Sequence, residues 1–289
     1  MKRTALTYAA VALAAAVIAV AAVVVADRSA DADTTLESPP PEAGWGPRHG
    51  ATEHVDWDSE LAFQGCCDDS VEESDYSRDG GPAFRSYLRY GDERVADGPR
   101  AETHTARWDE SRFGPGDTVY YGFSVYLVST WEPDSSEDIV FQWHTEPEDC
   151  ETDKPPSAFL SVQPEGMWRL RVNSDDDPCT TADSVEKTGF DLADAAPGQW
   201  HDFVFAFRWD STDTGVVKVW HQTDLAPGWE QVLDTTGPNT FNDAEASGYL
   251  KWGLYKPAWN DGPTDVPSRV VFHDNIAFGA GFDAVDPSG

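Results

Sequence analysis

An all-β fold, an antiparallel two-sheet sandwich or jelly roll, is what the sequence predicts, and three observations carry that prediction. Aromatic residues make up 12% of the 289 residues, with 12 Trp, 14 Phe and 9 Tyr. Runs of β-branched and aromatic residues recur between clusters of Gly, Pro, Asn and Asp, which suits pleated, half-buried surfaces. After the N-terminus no segment keeps a helical period. The elements then follow in order. Residues 119–128 run through Val, Tyr, Phe and Leu behind the turn Gly114-Pro115-Gly116-Asp117. Residues 139–144 place Ile139, Phe141 and Trp143 on one side and Gln142 and His144 on the other. Residues 158–163 and 168–173 flank Pro164-Glu165-Gly166, while 200–209 and 216–222 flank a polar stretch around Asp213. Residues 249–255 and 269–278 complete the series, with Pro and Gly between them. Strands at this spacing, without alternating helices, make a sandwich, and a curved sheet within it offers a concave face to a polymer. With 40% hydrophobic residues, the chain can fill such a core.

Charge and composition narrow the function classes. Asp and Glu number 52 against 20 Lys and Arg, a formal net charge of −32, which excludes nucleic-acid binding through a general basic surface. A dense carboxylate coat keeps a protein hydrated in a salty medium that screens its self-repulsion. An anionic ligand would therefore need positive charges supplied locally. Lys2 and Arg3 precede an apolar stretch at residues 5–26, so residues 1–26 read as a signal peptide or an N-terminal membrane anchor. Residues 27–46, acidic and containing Pro39-Pro40-Pro41, read as a tether. The folded domain is then 47–289, secreted or anchored to the outer face of the cell membrane. Four Cys in an exported chain suggest disulfides. Cys150 and Cys179 are the preferred pair, and adjacent Cys66 and Cys67 must either form a vicinal bridge or point to different partners. A zinc site would need a pair of CxxC elements, which the chain lacks.

Side chains two apart on a strand share a face, and that rule makes three segments informative. In 139–144 the polar stripe is Gln142 and His144. A strand through 99–104 aligns Arg100, Glu102 and His104. In 249–256, Tyr249, Lys251 and Tyr255 project one way and Leu250, Trp252 and Leu254 the other. Singly, each stripe has a plainer explanation: an ion pair on a solvated face, a hydrogen-bonded structural histidine, or tyrosines packed with their hydroxyls in water. Together they supply a base, an acid and cations for an anion.

These three segments resemble the signatures of the jelly-roll polysaccharide lyases, which include alginate lyases, glucuronan lyases and heparin lyase I-like relatives. The alginate lyase patterns R-[TS]-E-[LV]-R, Q-[IV]-H and Y-F-K-A-G-x-Y find counterparts in Arg100-Ala101-Glu102-Thr103-His104, Gln142-Trp143-His144 and Tyr249-Leu250-Lys251-Trp252-Gly253-Leu254-Tyr255, in the same order. Gly198-Gln199-Trp200-His201-Asp202 resembles a strand of the heparin lyase I-like branch. His104 stands where alginate lyases carry Arg, and Trp143 replaces an aliphatic residue. The resemblance implies a concanavalin-like jelly roll that cleaves a uronate-containing acidic polysaccharide by β-elimination. It implies that Gln142 and Arg100 stabilise charge at the sugar carboxylate and that His144 acts as base. Tyr255 would protonate the leaving oxygen, or serve as base and acid together in a syn elimination. Lys251, Glu102, His104 and Tyr249 are the expected substrate-binding residues, with Glu102 orienting Arg100.

Two other readings use other residues. A glycoside hydrolase would use alternating carboxylates, and Glu146, Glu148 and Glu151 offer E-x-E-x-x-E, although Pro147 and Asp149 point to a loop. A noncatalytic carbohydrate-binding module would use Trp platforms such as Trp220, Trp229 and Trp259 but has no need of His144, Lys251 and Tyr255. No organic cofactor and no resident metal are expected. Asp175, Asp176 and Asp177 could hold calcium but lack the D-x-[DN]-x-[DN]-G pattern. A monomer acting on an acidic polysaccharide is the expected working form.

Overall fold

The computed structural model describes residues 51–151 and 154–289. The expected signal or anchor at 1–26, the linker at 27–46 and the first residues of the domain lie outside the described residues. With strands numbered along the chain, one sheet runs β13 (Ala226–Thr236), β12 (Val216–Thr223), β11 (Trp200–Arg208), β6 (Thr118–Leu127), β15 (Ser268–Gly279), β4 (Ala83–Arg89) and β3 (Val71–Ser74), with β1 (Glu53–His54) also paired to β15. The second runs β10 (Glu186–Asp194), β9 (Met167–Ser174), β8 (Ala158–Val162), β7 (Asp138–Thr145), β14 (Gly248–Tyr255), β5 (Arg100–His104) and β2 (Ala62–Gln64). All of these pairings are antiparallel. The all-β jelly-roll sandwich read from the sequence is the fold observed.

Strand alternation builds the core between the sheets. Phe123 of β6 stacks on Phe141 of β7 with ring centroids 4.1 Å apart, and Trp143 packs on Phe205 and Phe207 of β11 at 4.8 and 5.0 Å. Leu250, Trp252 and Leu254 of β14 complete the same cluster. Each such side chain contributes about 1.5–3 kcal/mol on burial. One end of the interlayer is ionic: Arg269 of β15 meets Asp138 of β7 (Nε to Oδ2, 2.9 Å), and Lys256 spans Asp138 and Asp134 at 2.8 and 2.6 Å. On the other face of the first sheet, Phe282 and Val285 of the short helix α1 (Phe282–Val285) pack with Val204, Ala206 and Trp220. Gly122 permits this, because a Cβ there would lie 1.7 Å from the Val285 carbonyl oxygen.

The structure departs from the sequence reading in three ways. First, β1, β2, β3, β4, β10 and β13 were not anticipated. Four of them, β2, β3, β10 and β13, end the two sheet paths, where charge and irregularity guard an open edge against further pairing, so strands such as Glu186–Asp194 carry little apolar signal. Second, β4 was legible, since its buried and part-exposed residues alternate from Phe84 to Arg89. Third, Ile139 does not share the core side with Phe141 and Trp143. The β7–β8 register shifts between Ile139 and Phe141, a bulge that places Val140 in the core cluster and Ile139 on the opposite face. The cysteines form two disulfides, Cys150–Cys179 as preferred and the vicinal Cys66–Cys67.

Buried imidazoles make the fold acid-sensitive. Trp168 Nε1 donates to His201 Nδ1 at 3.1 Å, so His201 Nε2 carries the hydrogen donated to the Ala196 carbonyl at 2.9 Å. His221 Nε2 approaches the same Nδ1 at 3.0 Å and must donate. Burial lowers the pKa of His201, and burial together with His201 pushes His221 down to about 3. His273, enclosed in the core, is likewise held at about 3 by burial. An unfolded chain binds protons at these rings from the ordinary value of 6.5 downward, whereas the folded chain does not. The stabilisation is thus complete above pH 6.5 and declines as pH falls toward about 3, by about 1.4 kcal/mol per pH unit for each additional proton bound by the unfolded state. Urea unfolding at about pH 7.5 and about pH 5 should show a clearly lower midpoint at the acid value; equal midpoints would refute this account.

Candidate active site

The site lies on the outward face of the second sheet, at β5, β14 and β7. Cross-strand register brings the three sequence stripes together: Lys251 pairs with His104 and Gln142, Tyr249 with His144, and Tyr255 with Arg100. A groove of about 710 Å³ crosses these strands and β8, β9 and β10, lined by Arg100, Gln142, His144 and Tyr255 among others. Near its centre the β14–β7 register shifts between Trp252 and Tyr255. Gly253 sits there at φ +124°, and a Cβ would lie 2.3 Å from the Ala101 carbonyl oxygen. The bulge therefore needs glycine. A tight turn at one wall has Ala96 and Asp97 both left-handed, at φ 46° and 60°, and Gly98 after it packs against the Tyr255 ring.

Beneath the groove, Glu102 gathers its neighbours. Its carboxylate accepts from Arg100 Nη1 at 3.0 Å, from Lys251 Nζ at 2.9 Å and from Gln142 Nε2. Burial would raise the Glu102 pKa, but Lys251, Arg100 and the Gln142 hydrogen bond together outweigh it and hold the carboxyl below its usual value. Burial lowers the pKa of Lys251, whose ammonium also donates to Gln64 Oε1 at 2.9 Å. Because an ionised carboxylate only accepts, the Gln142 amide must turn its NH₂ toward Glu102, leaving a second N–H and Oε1 for other partners. The Arg100 guanidinium lies 4.2 Å from the centre of the Tyr255 ring, a cation–π contact that fixes both groups.

The histidines are neutral at pH 7. His144 Nδ1 donates to the Thr145 carbonyl at 2.8 Å, so Nε2 keeps its lone pair. Burial, with Lys251 nearby, pushes the His144 pKa down to about 4. Its ring stacks on Tyr249 at 5.2 Å. His104, on the other side of Tyr249 at 5.7 Å, is also pushed to about 4 by burial. Burial, aided by Glu146 and Glu102, raises the Tyr249 pKa to about 12.

The eight residues singled out in the sequence thus occupy two layers. Arg100, Gln142, His144 and Tyr255 line the groove, whereas Glu102 and Lys251 are buried under it, Tyr249 stacks on His144 and His104 lies beyond Tyr249. The sequence reading missed Phe159, Arg171, Asn173 and Lys187, which form the opposite wall. Three of them were within its reach, because Phe159 alternates with Ala158 and Leu160, and Arg171 and Asn173 with Leu170 and Val172. Other candidates fall elsewhere. Residues 146–151 form a loop, with Glu146 paired to Arg112 and Glu151 to Lys154. Trp220 and Trp259 are buried. Asp175 is engaged by Ser184 and the Asp177 amide. Among the described residues, the one group with metal-ligand spacing is Cys66, Cys67 and Asp92, and both sulfurs are in a disulfide.

The sequence profile described as "Polysaccharide lyase" matches residues 48–277. The chain belongs to that family. The lyase is similar in fold to the endo-β-1,4-glucuronan lyase from the fungus Trichoderma reesei, with a TM-score of 0.69 at 19% identity, covering 83% of this chain and 98% of that one. An alginate lyase of polysaccharide lyase family 7 gives a TM-score of 0.49 at 16% identity over 77% of this chain and 95% of its own. The marine PL-14 alginate lyase from Aplysia kurodai gives 0.49 at 14% over 77% and 91%. A search of curated proteins finds no match for the lyase.

The ionic cluster under the groove generates a stability prediction. Glu102→Ala would strand Lys251 and Arg100 without their carboxylate in a buried site, and breaking one partner of such a pair costs about 3–5 kcal/mol. Lys251→Met would in turn leave Glu102 with Arg100 as its one cationic partner. Both variants should lose several degrees of Tm, with Glu102→Ala losing more; a Tm for Glu102→Ala equal to that of the unsubstituted protein would show that the stranded cations carry no penalty.

Proposed function

We propose that the lyase cleaves a uronate-containing polysaccharide by β-elimination, leaving an unsaturated uronosyl end. The observation that carries this reading is the convergence of Arg100, Gln142, a neutral His144 with its Nε2 lone pair available, and Tyr255 in one groove. The sugar's C5 proton is weakly acidic because the adjacent carboxylate is already charged. Hydrogen bonds from Gln142 and the charge of Arg100 at that carboxylate stabilise the enolate-like charge that develops. His144 Nε2 takes the C5 proton, the C5–H electrons form the C4–C5 double bond, and the C4–O bond breaks as Tyr255 gives its proton to the departing oxygen. Proton return from His144 to Tyr255 through water restores the enzyme. Nothing else is consumed.

Burial weakens His144 as a base in the free protein, and an anionic sugar bound beside it strengthens it. Glu102 and Lys251 act as positioning residues, one fixing Gln142 and Arg100 and the other keeping Glu102 ionised. The two disulfides favour an oxidising compartment, in keeping with a secreted or surface-anchored enzyme that meets its polymer outside the cell as a monomer.

Incubation with a panel of uronate polymers, including glucuronan and alginate, should give the ultraviolet absorbance of a new conjugated double bond. New reducing ends without that absorbance would indicate hydrolysis, and retention without cleavage a binding module; either would overturn the proposal. His144→Ala and Tyr255→Phe should each lower kcat by about 10²–10⁴-fold with the fold intact, and full activity in either would remove that residue from the mechanism. With His144 protonating at about 4, the acid limb of kcat/KM should fall near pH 4 rather than near 6.5, provided the protein remains folded; a limb centred on 6.5 would contradict the base assignment.

A further inference from the structure

The wall of the groove away from Tyr255 holds two cations that the reaction does not use. Arg171 lies on β9 and Lys187 on β10, and both line the groove. Neither has an ion-pair partner among the described residues. This is unusual in a chain with 52 acidic groups to 20 basic ones, in which Arg78, Arg85, Arg89, Arg169, Lys154 and Lys256 all sit on carboxylates. The Arg171 Nε is buried without a hydrogen-bond partner, and its guanidinium lies 5.9 Å from the centre of the Phe159 ring. Gly189, opposite Arg171 on β10, places no side chain over it.

Register fixes where these cations stand. Gln142 pairs with Phe159, and Phe159 with Arg171, so Arg171 lies in the catalytic amide's own row, two strands away. Trp143, Ala158 and Val172 form the next row. Asn173 and Lys187 pair one residue further along, level with His144, Asn173 two strands from it and Lys187 three. Two strand spacings are about 9.5 Å, roughly the length of two linked sugar rings. Phe159, between Gln142 and Arg171, offers an apolar surface for the ring in between.

We propose that Arg171 and Lys187 form a second carboxylate-binding subsite, engaging a uronate about two sugars from the scissile residue. The groove then selects a chain with repeated acid groups, and a lone acidic sugar in a neutral polymer binds poorly. The proposal rests on the elimination reading for its kinetic test but not for its binding test. Acid groups on this wall do not neutralise the pair: Glu137 stands at the far end of the groove, accepting from Ser161 and Gln163 at 3.1 and 2.8 Å.

The test compares Arg171→Gln, Lys187→Gln and the double variant on size-defined glucuronan and alginate oligomers. The readout is the ratio of kcat/KM for the polymer to kcat/KM for the shortest oligomer cleaved. A fivefold or greater fall in that ratio for the double variant supports the subsite, and a smaller change overturns it, as does an equal loss on every length. Lys187 is exposed, so Lys187→Gln reports even if Arg171→Gln unfolds, and a twofold or greater fall for it alone is expected. Should the protein eliminate none of these polymers, the elimination reading fails by itself. The subsite is then judged by migration in native gels cast with the same polymers, where retardation lost in the double variant supports it and unchanged migration refutes it.

Discussion

Everything in the groove depends on one buried carboxylate remaining ionised. Glu102 has almost no contact with solvent, and a charge in that position persists only because Arg100 and Lys251 flank it. The consequence is geometric. An acceptor-only group on the floor dictates how Gln142 presents its amide, and with Tyr255 it holds Arg100 at a fixed height. The net stabilisation from such a buried cluster is small, because desolvation offsets much of the attraction. What the cluster supplies is orientation, which the proposed elimination, with its short-lived charge, requires before substrate arrives.

The sequence showed the fold where strands are central and buried on both faces, and hid it at the rims. β6, β7, β11 and β14 announced themselves through aromatic and β-branched alternation, whereas β10 and β13 look polar because edges are kept polar. The site was legible for a related reason. A period of two assigns Gln142, His144, Lys251 and Tyr255 to outward stripes without any knowledge of the third dimension. Alternation failed at Ile139, because the β7–β8 bulge is a property of pairing between strands and leaves no mark in either of those two. Depth also escaped the pattern. Lys251 and Tyr255 share a stripe, yet one is buried beneath the groove and the other lines it. The Arg171 wall was overlooked although its alternation is as regular as that of β7, since a stripe draws attention only when its residues suggest chemistry.

Burial also sets the character of the imidazoles. His104 and His144 are neutral because desolvation and Lys251 disfavour their cations, so the wall around Tyr249 carries rings and lone pairs in place of charge. Fixed positive charge at the groove comes instead from Arg100, Arg171 and Lys187. In the proposed elimination, proton transfer and anion binding thereby fall to different side chains.

The contrast between this cationic groove and the acidic exterior has a consequence for how the enzyme works in solution. A polyanion of the kind proposed, drifting toward a body of net charge −32, is repelled once it comes within a Debye length, about 10 Å in 0.1 M salt and about 3 Å at 1 M. Dissolved ions shorten that barrier but also compete for the guanidinium and ammonium groups inside. Encounter therefore quickens with ionic strength while the grip on the captured chain slackens, and turnover should peak in brine rather than in dilute buffer.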